Sequence, residues 1–81
     1  MLKDVVLEAA ESEAEEFNVS FWKVDVGSRV SKGDELVVLE AVEEKTALAV
    51  RSPFAGTLKA IRAGEDTKVA SGDILCSVEV E

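Results

Sequence analysis

The chain has 81 residues, 17 acidic and nine basic side chains, no histidine, and a formal net charge of −8. That length supports one small hydrophobic core covering 1–81, burying about 60–70% of the surface that the unfolded chain would expose. The Lys and Arg residues are scattered singly, so no basic stripe exists to neutralise phosphates, and nucleic acid is excluded as a partner.

No stretch approaches the ~18 consecutive apolar residues of a membrane helix, and the first residues lack a basic region followed by an apolar one. A soluble protein of the cytoplasm is expected, with no membrane partner. The single cysteine, Cys76, cannot form an internal disulfide, and without histidine no zinc-ligand spacing can be assembled. Cys76 lies within 74-ILCSV-78 and reads as a small buried hydrophobe.

In chain order, short runs rich in Val, Leu and Ala alternate with Gly, Ser, Asp and Pro: 5-VVL-7, 19-VSFWKV-24, 36-LVVLEAV-42, 46-TALAV-50, 57-TLKAI-61 and 74-ILCSVEV-80. β-Branched runs of this length, punctuated by turn residues, predict the strands of an all-β domain. Residues 1–16 admit two readings. Leu7, Ala9, Ala10, Ala14 and the glutamates favour helix intrinsically, whereas 5-VVL-7 followed by 11-ESEAEE-16 fits a strand and a solvated acidic loop; the second is adopted. Phe17, Phe21, Trp22 and Phe54 are expected to pack in the core or against a sheet. Gly27, Gly33, Gly56, Gly64 and Gly72 are expected to serve turns, and Pro53 a sharp exit from a strand.

An internal repeat organises these runs. At an offset of 39, 30-VSKGDELVVLE-40 matches 69-VASGDILCSVE-79 at Val30/Val69, Gly33/Gly72, Asp34/Asp73, Leu36/Leu75 and Glu40/Glu79. Each copy is preceded by a glycine, Gly27 in the first and Gly64 in the second, with two extra residues in the second. Two such units predict two similar sheets packed face to face with approximate two-fold symmetry, since neither half could bury its apolar face alone. The first long strand, ending near Glu43, leads into a hairpin; the second ends at the C-terminus. The hairpin and the chain ends are therefore symmetry mates at opposite ends of the molecule.

These segments resemble the biotinyl/lipoyl carrier domains. Residues 22-WKVDVGSRVSKGDEL-36 look like that family's V-x-x-G-D-x-V-x-x-G-D-x-L pattern, 52-SPFAGTL-58 like its S-P-x-x-G-x-V turn, and 69-VASGDILCSVE-79 like its closing V-x-x-G-x-x-L-x-x-I-E. The resemblance covers nearly the whole chain. It implies a flattened β-barrel, or sandwich, of two four-stranded antiparallel sheets of the hammerhead type, whose hairpin lysine carries a covalent cofactor.

Lys45 is the matching lysine when counted back from Pro53, eight residues away. Counted forward from Gly33, the family's lysine falls at position 43, which is Glu43 here. A hairpin two residues longer, with one residue added on each strand, reconciles the counts and preserves which side chains face the core. It centres the turn on Glu43 and Glu44, with Lys45 just past it.

Lipoyl domains present D-K-A at this tip, which 44-EKT-46 resembles. Biotin domains present E-A-M-K-M, of which only the start is echoed in 40-EAV-42. The resemblance thus implies a lipoyl carrier modified at Lys45, with Glu43 and Glu44 as recognition contacts. Such a carrier shuttles acyl intermediates within a dehydrogenase complex and has a lipoyl ligase and the complex's enzymes as partners. Biotin on Lys45, with a biotin ligase and a carboxylase, is the alternative; an unmodified interaction module of the same fold is the third reading. On that last reading Lys45 is a solvated charge and the glutamates polar turn residues. No histidine or carboxylate pair forms a catalytic constellation, so no catalysis by the domain itself is expected.

Overall fold

A computed structural model describes residues 1–8 and 16–80. Among them are eight strands: β1 (Leu2–Val6), β2 (Phe17–Trp22), β3 (Arg29–Val30), β4 (Glu35–Ala41), β5 (Ala47–Arg51), β6 (Gly56–Ile61), β7 (Lys68–Val69) and β8 (Ile74–Val80). They form two antiparallel four-stranded sheets, ordered β1-β8-β6-β3 and β5-β4-β2-β7. The expected all-β double sheet is present. Leu2–Val6 is strand rather than helix, while most of the acidic run 11–16 lies outside the described residues.

The repeat extends well beyond the eleven residues that revealed it. Shifted by 39, β2 lands on β6, β3 on β7 and β4 on β8. The remaining pair is cyclic: β5 flanks β4 as β1 flanks β8, with Glu40↔Ala47 answered by Glu79↔Leu2. Turn hydrogen bonds repeat as well. The Asp34 carboxylate accepts from the Ser31 N–H at 2.8 Å, and the Asp73 carboxylate from the Ala70 N–H at 2.9 Å.

One glycine pairing needs correction. The N–H of Gly27 donates to Leu58 O at 2.8 Å, and its counterpart is Asp66, whose N–H donates to Val19 O at 3.0 Å. Both have positive φ, 96° and 65°, while Gly64 does not. The halves are therefore equal in length here, and the glycine position of the second half is filled by aspartate, which tolerates the left-handed region through its short polar side chain. Gly56 also departs from the turn reading. Its φ is ordinary, and a Cβ there would overlap the backbone carbonyl of Glu79, so the glycine serves close approach of β6 to β8.

The core lies between the sheets and is built from Leu36, Val37, Leu39 and Ala41 of β4 with Leu75, Cys76 and Val78 of β8, the register shifts at Leu36 and Leu75 letting two consecutive residues face inward, and is sealed by Val5, Leu7, Phe17, Val19, Val30, Leu58, Ala63 and Val69. Phe17 is fully buried. Trp22 is half-buried and donates Nε1–H to the Ala63 carbonyl at 2.7 Å. Phe54 packs on the core edge. Phe21 differs from expectation, being 44% exposed. A register shift at Ser20 lets Val19 and Trp22 both face inward and turns Phe21 to the outer face.

The sheet pairings also fix where the ends lie. Val80 pairs with Gly56 and Gly56 with Val30, which turns into the start of β4. Ala41 pairs with Phe17 and Phe17 with Val69, which turns into the start of β8. Strands β4 and β8 therefore run in opposite senses, with the β4–β5 hairpin at one end of the 37 Å long axis and Met1 and Val80 at the other.

Candidate functional site

The hairpin is held by its base. Gly33 N–H donates to Ser52 O and Ser52 N–H to Asp34 O, both at 2.8 Å, so the G-D turn and the S-P turn are locked together. Ser52 is buried; its hydroxyl donates to the Phe54 carbonyl at 2.6 Å and accepts from the Phe54 N–H at 3.2 Å, which shapes the turn around Pro53. The motifs that gave conflicting counts are thus bonded neighbours, and everything between them is hairpin. Beyond this base the pairing shifts at Leu36, between Glu35↔Arg51 and Val37↔Val50, so β4 holds one extra residue. From there the register runs unbroken through Leu39↔Leu48 to Glu40↔Ala47.

The tip is the four-residue loop 42–45. Ala41 N–H donates to Thr46 O, and Lys45 N–H donates back to Ala41 O, both at 2.8 Å. Three residues wind in a helical sense, and Lys45, at φ 55°, reverses the chain into β5. A turn followed by a left-handed residue is a common solution for a hairpin loop of this length. The loop centre falls between Glu43 and Glu44, as the longer hairpin predicted. Glycine or asparagine suits the left-handed place better; lysine there costs on the order of 1 kcal/mol.

The tip is exposed but not loosely rooted. Ala41 is buried, and Val42 N–H donates to Glu16 O at 3.2 Å, tying the loop to the chain entering β2. Glu43, Glu44, Lys45 and Thr46 are all exposed. Among the described residues the side chains of Glu43, Glu44 and Lys45 form no ion pair. The three residues singled out in the sequence therefore sit together, with the Lys45 amine accessible. The left-handed geometry of Lys45 is not legible from residue type, since lysine, unlike glycine or asparagine, does not mark such a position.

Two further features frame the site. On the outer face at the hairpin base, Glu35 accepts from Lys23 Nζ at 2.5 Å and from Arg51 Nη2 at 3.3 Å, and Arg51 Nη1 reaches the Gly33 carbonyl at 3.0 Å. The Lys23 hydrogen bond and charge, with a smaller contribution from Arg51, hold the Glu35 carboxyl below its ordinary range. Cys76 is fully buried, and burial, with the Asp4 charge nearby, pushes its thiol up to about 11. A nucleophilic role for it has no basis.

Comparison with known proteins agrees with the fold. A family profile described as biotin-requiring enzyme matches residues 6–78. Among curated proteins, pyruvate carboxylase 1 of Caenorhabditis elegans is 42% identical over 57 residues, 70% of this chain. Pyruvate carboxylase of Bacillus subtilis is 34% identical over 55 residues, 68% of this chain. In each case the chain spans 5% of the relative's length. Two solved structures share the fold. A single-chain, multi-domain long-chain acyl-CoA carboxylase superposes with a TM-score of 0.80 over 99% of this chain and 7% of its own, at 20% identity. The lipoyl domain of the 2-oxoglutarate dehydrogenase complex of Azotobacter vinelandii gives 0.72 over 96% of this chain and 98% of its own, at 22% identity.

Proposed function

The chain belongs to the biotin/lipoyl attachment family, and from that premise we propose that it is a cofactor carrier acylated on Lys45, with biotin as the better-supported group. The observation that carries the proposal is the placement of Lys45: an exposed amine at the end of a rooted hairpin, in a backbone conformation that a lysine adopts at a cost. Strain of that kind concentrates where a side chain must be presented in one direction.

Attachment requires little of the domain. The neutral Lys45 Nζ attacks the carboxyl carbon of an activated acyl group, such as a mixed anhydride; a C–N bond forms, the C–O bond to the leaving group breaks, and the amine's proton passes to a base of the ligase or to water. The resulting amide removes the lysine charge and lengthens the arm. The attached group then supplies the chemistry, biotin as a carrier of carboxyl groups or lipoate as a carrier of acyl groups. The domain supplies reach and a high effective concentration at the sites it visits.

Biotin is favoured by the family description and by the pyruvate carboxylases, which shifts the balance from the lipoate reading of the tip. A carboxylase would then provide the partner enzymes. The lipoate reading keeps one specific support, the acid-lysine-small sequence 44-EKT-46 placed eight residues before Pro53. Intact mass after co-expression with a biotin ligase or a lipoyl ligase, beside a Lys45→Arg control, tests both. A mass gain with biotin ligase that the control loses supports the proposal; a gain with lipoyl ligase alone transfers the site to lipoate. A folded wild type unchanged by either ligase overturns the carrier function.

A further inference from the structure

We infer that the groove between the edge strands β1 and β5 is the resting site of the acyl arm carried by Lys45, an inference that rests on the carrier function above. Each of these strands pairs on one side only, β1 with β8 and β5 with β4. Between them lies a groove of about 460 Å³. Its floor is apolar. Val5 and Leu7 are buried, while Leu48 and Val50, paired with the buried Leu39 and Val37, face inward yet are only half-covered, since among the described residues no strand lies beyond β5. The wall formed by β5 is the strand into which Lys45 leads.

The internal symmetry shows which end of the groove suits an apolar guest. It exchanges β1 with β5 and so maps one half of the groove onto the other, with Val5 and Val50 as equivalents opposite Cys76 and Val37. Around this centre the halves differ. Toward the hairpin tip stand Leu48, Ala49, Val6 and Leu7; their equivalents toward the termini are Lys3, Asp4, Arg51 and Ser52. In each of these pairs the apolar member is on the Lys45 side and the polar or charged member on the other. Val6 and its partner Ile74, 38% and 44% exposed, extend the apolar end onto the outer face. The outermost pair, Glu8 and Pro53, runs the other way. Glu8 is exposed and lies beyond Leu7 at the mouth of the groove, where an acylated lysine brings its polar amide and not its hydrocarbon.

Reach and charge commit the groove to the acylated arm. Leu48 is three residues from Lys45, about 10 Å along an extended chain. A free lysine side chain spans about 6 Å and ends in a charged amine that gains nothing from an apolar surface. Acylation removes the charge and, for biotin or lipoate alike, adds a five-carbon chain ending in a sulfur-containing ring, which roughly doubles the reach. The hydrocarbon then meets Leu48, Ala49, Val6 and Leu7 before the charged half begins at Asp4 and Arg51. Tethering supplies the rest, because at a roughly millimolar effective concentration a groove of weak intrinsic affinity is substantially filled. An extended peptide or a second copy of this chain has no such help. Lys3, paired with the buried Val78 and so set on the inward face of the β1 edge, also opposes an added strand. The resting arm is shielded from solvent and leaves the groove when a partner enzyme binds it more tightly.

The test compares amide chemical shifts of the domain before and after acylation by whichever of the two ligases modifies the wild type. Acylation is expected to shift the amides of Val6, Leu7, Leu48 and Ala49, with nuclear Overhauser contacts from the arm's methylene protons to the Leu48 methyl groups. Leu48→Lys and Val6→Arg each copy the residue that the other half carries at that place. Each should reduce the shift changes at the remaining positions at least two-fold, with acylation still complete by mass. Lys3→Leu, at the opposite end, is the control and should leave them unchanged. Shift changes confined to 42–46 in the wild type, changes unaltered by both substitutions in folded protein, or an equal reduction in the control overturn the resting site and leave the carrier function standing. A wild type that neither ligase modifies overturns both.

Discussion

Asp66 holds the backbone place in the second half that Gly27 holds in the first, at φ 65° against 96°, each donating its N–H to the equivalent carbonyl of a strand in its own sheet, Val19 O of β2 and Leu58 O of β6. Asp66 is exposed. Asp66→Gly is therefore expected to relieve left-handed strain, partly offset by the greater freedom of glycine in the unfolded chain. The net gain should be about 0.5–1 kcal/mol, a rise in Tm of roughly 2–8 °C. Differential scanning calorimetry checks it, and a fall in Tm would show that the aspartate side chain contributes more than its backbone costs.

This position also shows where the sequence could and could not be read. The strands, the two-sheet architecture and the opposite placement of hairpin and termini were legible because apolar periodicity and a repeated G-D turn report on backbone pairing directly. Residue type alone points to Gly64 in the second turn, whereas the left-handed place falls on Asp66, because conformation and not residue identity is what the two halves share and aspartate is able to stand in for glycine. At the candidate site the lysine and its displacement from the family's count were legible. The locking of Gly33 to Ser52 and the extra residue at Leu36 were not, since register shifts leave no mark in a run of Val and Leu. The two-residue strands β3 and β7 were too short to produce a pattern, and the outward turn of Phe21 follows from a register shift at Ser20 that composition does not signal.

Lys45 sits in the same kind of backbone conformation, and here strain and function diverge at one residue. Lys45→Gly is expected to raise stability by about 0.5–1 kcal/mol while abolishing modification, and Lys45→Arg to leave Tm nearly unchanged with the same loss of modification. Thermal melts beside intact mass of co-expressed protein read both quantities. Mass gain persisting in either variant would place attachment elsewhere.

Gly56 should tolerate nothing larger. Because the obstructing group is the Glu79 backbone carbonyl and not a side chain that can swing away, Gly56→Ala must push β6 from β8. A loss of about 2–3 kcal/mol is expected, read as a lower urea midpoint. An unchanged midpoint would mean that the two strands separate at little cost.

Glu35 gives the acid limb of stability a specific contributor. Its carboxyl is held low by Lys23 first and Arg51 second, so the folded state binds this proton less readily than the unfolded state. The contribution is present above the ordinary carboxylate range and disappears as pH falls through the lowered folded value. Urea midpoints measured from neutral pH to about pH 3 should fall less steeply in Glu35→Gln than in the wild type. Parallel curves would remove the assignment.

Cys76 behaves in the opposite sense. A thiol raised to about 11 stays protonated in the folded domain at pH 8, and its full burial excludes reagents. Iodoacetamide at pH 8 should leave the native protein unlabelled over hours and label it completely in denaturant, as read by mass. Stability should also decline as pH rises from the ordinary thiol value toward 11, because the unfolded chain loses that proton first.

The reciprocal bonds at the far end of the molecule have a topological consequence. Val80 N–H donates to Met1 O at 2.8 Å as Ala41 N–H does to Thr46 O, and the Met1 amine donates in turn to Val80 O at 2.7 Å. One end of the sandwich is a closed loop and the other is the same pairing left open. Joining Val80 to Met1 through a short turn and opening the chain within 42–45 would give a circular permutant with the same eight strands in a rotated order. In such a permutant a lysine-bearing turn grafted between Val80 and Met1 would occupy the symmetry-equivalent place to 42–45, flanked by different side chains: the site of the Glu35–Arg51 pair in one half is filled by Ile74 and Val6 in the other.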